Sequence, residues 1–203
     1  MASTYVNDLR LEEIGSGEQS GTWGDTTNTN LELIGEALGY GTEAITTNAD
    51  THTSTVADGA TDPARSMYIK YTGTLDSTCT ITIAPNTLSR VHIIENATSG
   101  SQSIIISQGS GANVTIGTGA VKIVYLDGAG SGAAVTDALV DLDLTGTTTA
   151  AALTLSGNAD FNGDLDVDGT TNLDAVDVDG AVNFAADVTF ADGADIITAS
   201  AGT

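Results

Sequence analysis

The chain has 203 residues, and five Lys and Arg against 27 Asp and Glu give it a formal net charge of −22. Such a charge repels phosphate backbones and anionic lipid head groups, so we expect neither nucleic acid nor a membrane surface among its partners. Aromatic residues make up only 4% of the chain, which leaves few large side chains for a core. No basic segment precedes an apolar core at the N-terminus, and no apolar run approaches the ~20 residues of a membrane helix. The sequence therefore predicts neither export nor membrane insertion.

The first of three regions, residues 1–45, has mixed charge and contains a helical pattern. The pattern has two possible N-caps, one apolar face and two glycines that can end it, namely Asn28 or Asn30, then Leu31, Ile34, Ala37 and Leu38, then Gly39 and Gly41. We predict a short helix on an otherwise irregular arm.

The second region, residues 46–136, consists of segments rich in β-branched residues and bounded by Gly, Asn, Ser or Pro. These segments are residues 67–71, 79–83, 91–95, 103–107, 113–116 and 121–126. They recur at the spacing of roughly 8 to 12 residues that is typical of an all-β sandwich or barrel. Cys79 is the single cysteine, which excludes a disulfide framework and suits a small apolar side chain on a strand. The pattern predicts an antiparallel β-sandwich-like collar domain.

The third region, residues 137–203, repeats short apolar pairs separated by one residue. The pairs begin at residues 142, 153, 165, 176, 182 and 188. Strands this short are not stable alone in water, so they must stack on copies of themselves. Stacking within one chain would give a β-helix, and stacking between chains would give a fibrous trimer. The irregular spacing favours the intertwined trimer, and we expect this β shaft to continue in a longer full-length protein.

Two motifs carry a resemblance to a known class of protein. The segment G-E-Q-S-G-T-W-G-D-T-T-N-T-N at 17–30, within a longer match over 5–34, resembles the N-terminal module of tail fibres and related virion structural proteins of marine bacteriophages, notably cyanophages and pelagiphages. The segment G-D-L-D-V-D-G-T-T-N-L-D at 163–174 is similar to the repeated shaft of such fibres. The likeness covers the first quarter of the chain and, by pattern, the last third, whereas the middle domain matches only in style.

The resemblance implies a fibrous homotrimer that is assembled in the host cytoplasm and located in the virion. Its N-terminal arm would bind a phage tail or adaptor protein, and a distal region would bind a receptor on the host surface for adsorption. For docking we predict Trp23 as the aromatic anchor, because aromatic side chains near flexible glycine commonly fill partner pockets. Apolar support is expected from Leu9, Leu11, Ile14, Leu31 and Leu33. The alternative is that Trp23 packs within its own trimer.

The sequence offers little support for catalysis, so we expect no enzyme activity and no cofactor. His52 and His92 are the only histidines, and neither has a neighbouring ligand or nucleophile at a useful spacing. Asp164, Asp166 and Asp168 match the start of an EF-hand loop, but Ala175 stands where that loop needs Glu. We treat these three carboxylates as weak candidates for a surface calcium site.

Other interpretations remain open. A tailspike that cleaves glycans would carry its active site outside this segment, and another virion structural or baseplate protein would share the N-terminal module. A bacterial surface adhesin would also be acidic and repetitive, but the lack of an export signal disfavours it.

Overall fold

A computed structural model describes residues 2–46, 48–140 and 147–186 of the chain. The chain divides into two units, residues 1–146 and residues 147–203. In the described part, the first unit is mainly β, with one short α-helix and two mixed sheets. The elements are α1 (Trp23–Ala37), β1 (Tyr40–Ile45), β2 (Thr51–Thr55), β3 (Tyr68–Gly73), β4 (Cys79–Ala84), β5 (Ser89–Asn96), β6 (Ile104–Ser107), β7 (Val114–Ile116), β8 (Val121–Asp127) and β9 (Val135–Asp137).

The strands alternate between the two sheets along the chain. The five-stranded sheet has the order β1-β3-β5-β8-β9, and the four-stranded sheet has the order β2-β4-β6-β7. From β1 to β6, each return to a sheet places the new strand parallel to the previous one, as in the register Tyr40↔Tyr68↔Ile93. The chain therefore winds in successive turns around a shared interior.

The parallel pairing corrects the prediction of an antiparallel domain. Only β7, β8 and β9, the last three strands, pair antiparallel to their neighbours. The predicted spacing of short strands fits a chain that crosses to the other sheet after each strand as well as it fits a meander. Spacing alone does not determine which strands become neighbours, and for this reason the pairing could not be deduced from it.

One hydrophobic cluster lies between the sheets and draws on both. The five-stranded sheet contributes Ile69, Tyr71, Ile94, Val124 and Leu126, and the four-stranded sheet contributes Cys79, Ile81, Ile83, Ile104, Ile106 and Ile116. Each of these side chains is fully buried. Burying apolar area at roughly 25 cal/mol per Å² makes this stack of isoleucines the main stabilising feature of the unit.

Glycines allow the successive turns to stack closely at one corner. Gly73 has a φ of +123°, and a Cβ there would lie 2.4 Å from the Ile45 carbonyl oxygen. Gly100 has a φ of +99°, and a Cβ would lie 1.8 Å from the Leu75 carbonyl oxygen. Any side chain at these positions would force adjacent turns apart.

All six strand segments predicted in the second region are present, with small differences at their ends. Three strands were missed, namely β1, β2 and β9. The helix begins at Trp23, before the predicted caps, and Leu38 follows its last residue. The predicted boundary at residue 45 coincides with the end of β1, which pairs with β3 in the five-stranded sheet.

The second unit contains no helix or strand within residues 147–186. Every residue in that range is exposed, including the apolar members of the repeat. The apolar pairs that begin at residues 142 and 188 lie outside the described residues.

Candidate functional site

Hydrogen bonds and an ion pair join the segment before α1, which we call the arm, to the β strands and their connecting loops and to the helix. Arg10 forms an ion pair with Asp58, with 2.6 Å between the guanidinium nitrogen and the carboxylate oxygen. The Ser89 amide donates a hydrogen bond to the Asp8 carboxylate over 3.0 Å. These contacts tie residues that are far apart in sequence, so the arm is part of the folded unit.

Reciprocal hydrogen bonds join the arm to the helix. The Asn30 side chain donates to the Glu12 carbonyl oxygen over 2.9 Å and accepts from the Glu12 amide over 3.0 Å. Asn30 was one of the predicted N-caps, but it lies inside α1 and uses its amide to hold the arm instead.

The predicted docking residues divide into exposed and buried sets. Trp23 is 63% exposed at the start of α1, and Leu31 is also exposed, whereas Leu33 is only 2% exposed and packs inward. Leu9, Leu11 and Ile14 are half-buried along the arm. Of the predicted set, only Trp23 and Leu31 present most of their side chains to solvent, on one element.

Two further apolar side chains of the helical segment face solvent, namely Ile34 and Leu38. The sequence pattern placed them with Leu31 and Ala37 on one apolar face, whereas in the structure Leu33 and Ala37 form the buried side. We name Leu31, Ile34 and Leu38 the outer stripe. At 100° per residue, Leu33 lies about 200° from Leu31, so a helical projection of the same residues shows two apolar sides.

A polar cluster lies in the first turn of the winding. Glu43 of β1 accepts from the Ser54 hydroxyl, and its other carboxylate oxygen is 2.7 Å from Nε2 of His52. Tyr71 donates to the Ser54 oxygen over 3.0 Å, and burial raises the pKa of Tyr71. The Ser54 hydroxyl thus donates to the Glu43 carboxylate and accepts from the Tyr71 hydroxyl, while the His52 imidazole contacts the other Glu43 oxygen and not Ser54. The cluster satisfies polar groups at an edge of both sheets, where β1 and β2 are the outermost strands.

A second polar group lies around the turn Pro63–Arg65. The Arg65 guanidinium is fully buried, and it donates to the Ala57 and Ala60 carbonyl oxygens and to Asp62. Arg90 donates to the Arg65 carbonyl oxygen over 2.5 Å. Burial raises the pKa of Asp62 against the opposing effect of the hydrogen bonds from backbone amides and of the Arg65 charge. These contacts hold the segment 57–65 around the buried Arg65 guanidinium, and they give Arg65 a structural role.

The weak calcium candidates Asp164, Asp166 and Asp168 lie on exposed chain without regular structure. Within the described ranges, no three His, Cys, Asp or Glu side chains come together in a group that could hold a metal ion. In the same ranges, no helix combines the length and apolar character needed to cross a bilayer.

Comparisons of the chain with known proteins found no relative. No family model matches the chain, and neither the curated proteins nor the solved structures contain a significant match.

Proposed function

We propose that the protein is a structural subunit of a bacteriophage tail fibre, a homotrimer that joins the virion tail to a distal region binding the host. The observation that carries this proposal is the exposure of the repeat. Its apolar side chains are each at least 46% exposed in the single chain, namely Leu153, Leu155, Phe161, Leu165, Val167, Leu173, Val176, Val178, Val182 and Phe184.

Exposed apolar side chains that recur along a chain need a partner surface, because exposed apolar area on a lone chain favours association. The short segments of the repeat, which form no strands in the single chain, would also need neighbouring chains to satisfy their backbone hydrogen bonds as strands. Three copies of the same chain, aligned in parallel, supply both requirements along the whole repeat. A shaft of this kind is long and stiff, which suits a spacer between a tail and a receptor.

The fastening of the arm supports a role in attachment. A docking segment must transmit the force of host binding to the tail, and a freely mobile arm would not transmit it. The Arg10–Asp58 ion pair and the contact between Asp8 and Ser89 join the arm to the β strands. Trp23 lies beside this fastened arm with its ring largely exposed, which suits an aromatic anchor in a partner pocket.

Multivalency gives the trimer its advantage in adsorption. Three linked receptor-binding ends raise the effective concentration of the second and third contacts, so weak individual affinities become useful. The subunit itself performs no chemistry in this account.

The test of attachment uses purified fibre and particles that lack fibres. The Trp23→Ala variant is mixed with the particles, and incorporation is measured by sedimentation. We expect binding to weaken by about 2 kcal/mol, or roughly 30-fold, with an unchanged oligomeric mass. The control is Val121→Ala, which trims another exposed apolar side chain, at the opposite end of β8 from Asp127, the register partner of Ser89. Equal incorporation of both variants would rule out Trp23 as the anchor.

A further inference from the structure

The helix α1 is apolar on two sides, and only one of them is used within the chain. Leu33 and Ala37 are buried against the rest of the unit. On the outer stripe, Leu31 is 61% and Leu38 is 69% exposed, and Ile34 lies between them. With about 100° between successive residues, the stripe spans an arc of about 60° and points about 110° away from the buried side.

The outer stripe carries no charged residue, although the chain has a net charge of −22. The acidic residues of the helix, Asp25, Glu32 and Glu36, project on a side about 150° from the stripe. A basic partner would be drawn to that acidic side and would gain no ion pair at the stripe. Two copies of this acidic chain can associate only where their carboxylates stay apart. The outer stripe is such a surface because it has no charged side chain.

The cations of the chain are already committed to internal contacts. The pairs are Arg10 with Asp58, Arg65 with Asp62, Lys70 with Glu95 and Lys122 with Asp137, and Arg90 donates to the Arg65 carbonyl oxygen. The five Lys and Arg side chains, all within the described residues, are therefore not available to neutralise the carboxylates of another copy. Self-association must rely on uncharged apolar surface.

A glycine beside the stripe adds an independent observation. Gly35 is exposed in the middle of the region Leu31–Leu38, and a Cβ added there would meet nothing within 4 Å. An interior helical glycine costs roughly 1 kcal/mol relative to alanine, and no neighbour of Gly35 among the described residues requires one. The missing side chain does allow the backbone of another helix to approach closely.

We propose that α1 is a self-association surface, where the outer stripe of each copy packs against the stripes of two further copies around the axis of the fibre. In a cyclic trimer, the same residues of all copies meet near the axis, which suits a short uncharged stripe. This inference rests on the proposed trimeric fibre and adds where the copies meet outside the repeat. Trp23 lies about 12 Å from Leu31 along the helix, at 1.5 Å per residue, so a contact confined to the outer stripe does not include it.

The test places single cysteines on the full chain and joins them with a short bis-maleimide. Leu31→Cys, Ile34→Cys and Leu38→Cys probe the stripe, and Glu32→Cys probes the opposite side of the same helix. The native Cys79 is fully buried, so the unsubstituted chain measures the background. We expect cross-linked chains at the stripe positions and only background at Glu32→Cys. Background at all three stripe positions would overturn the inference.

Light scattering on the unsubstituted chain separates this inference from the proposed function. A trimer without cross-linking at the stripe overturns the helix contact and leaves the fibre standing. A dimer that cross-links at the stripe supports the helix contact and overturns the trimeric fibre. A monomer without cross-links overturns both.

The Gly35→Ala variant gives a second test, because it should raise the stability of the single chain and weaken association between chains. The methyl group should raise helix propensity, so the unfolding midpoint of the unassociated chain should rise. The same group should obstruct helix approach and weaken association, by at least several-fold in the dissociation constant. Association that strengthens or stays constant would contradict close packing at Gly35.

Discussion

His92 and Ser66 are joined by a hydrogen bond inside the protein, with 2.9 Å between Nδ1 of the imidazole and the Ser66 carbonyl oxygen. Because a carbonyl oxygen can only accept, Nδ1 carries the proton and donates it. The other ring nitrogen, Nε2, is buried and has no protein partner. The folded structure therefore holds this histidine in its neutral form.

This relationship predicts a loss of stability in mild acid. Burial, reinforced by the nearby Arg90 charge, lowers the pKa of His92 to about 4 from 6.5. The unfolded chain binds the proton more tightly, so the contribution of His92 is complete above pH 6.5 and declines as the pH falls towards 4. Between pH 7 and pH 5 we expect a loss of about 2 kcal/mol in the free energy of unfolding.

Chemical denaturation at several pH values measures this effect, with His92→Gln as the comparison. The variant should be less stable at pH 7, and its stability should fall less between pH 7 and pH 5 than that of the original chain. Carboxylates titrate in both proteins, so the difference between the two curves isolates the histidine. Parallel curves would contradict the assignment.

The buried amide of Asn96 supports a second prediction. Its nitrogen donates to the carbonyl oxygens of Gln102 and Ile116, each over 3.0 Å, and its oxygen accepts from Thr98. Asn96→Ala would remove both donations, although the Thr118 hydroxyl would still donate to the Gln102 oxygen, and it would take this acceptor from the buried Thr98 amide and hydroxyl. The loss should cost about 3 kcal/mol. The control is Asn113→Ala at an exposed position, which should change stability by less than about 0.5 kcal/mol. Equal effects in thermal unfolding would argue against the hydrogen-bond account.

A third prediction concerns the repeat. Leu165→Asp combined with Val167→Asp places unpaired charges where the proposed trimer buries apolar side chains, so the shaft should come apart locally. The first unit has its own core and should stay folded. The control, Thr170→Asp combined with Thr171→Asp, adds the same charge to the same region without removing apolar groups.

Limited proteolysis can follow both regions at once. We expect rapid cleavage within residues 147–186 for the first double variant and slower cleavage for the control. Unfolding of the whole protein would show that the two units form one cooperative structure.

Ionic conditions should also affect the shaft. Residues 138–203 contain twelve Asp and no Lys, Arg or Glu, so a trimer brings like charges together. Added sodium chloride or calcium chloride should screen this repulsion and raise the melting temperature of the shaft by several degrees. The measurement is calorimetry across a salt series, and a constant melting temperature would show that charge crowding is unimportant.

The strands that could be predicted differ from the missed ones in a simple way. Segments such as β4 contain alternating isoleucines that pack in the core, and their sequence displays this directly. The missed strand β1 buries Gly41 and Ile45, and β2 buries Ser54, so neither shows the alternating apolar side chains of β4. Their position was fixed by parallel pairing with β3 and β4, and a local pattern carries no record of such pairing.

The candidate site was predicted only in part for a related reason. The sequence proposed Trp23 as an aromatic docking anchor and Leu33 as part of its apolar support, and the structure exposes Trp23 and buries Leu33. Leu31 and Leu33 lie about 200° apart around a helix, at 100° per residue, and a grouping by apolar character alone does not separate them. The contacts that fasten the arm, such as Asp8 with Ser89, join residues 81 positions apart and have no local signal.

The most direct test of the central claim is the mass of the purified 203-residue chain in solution, measured by multi-angle light scattering. A parallel homotrimer predicts three times the chain mass of 20.4 kDa over a range of protein concentrations. A single species of 20.4 kDa at all concentrations would contradict the fibre.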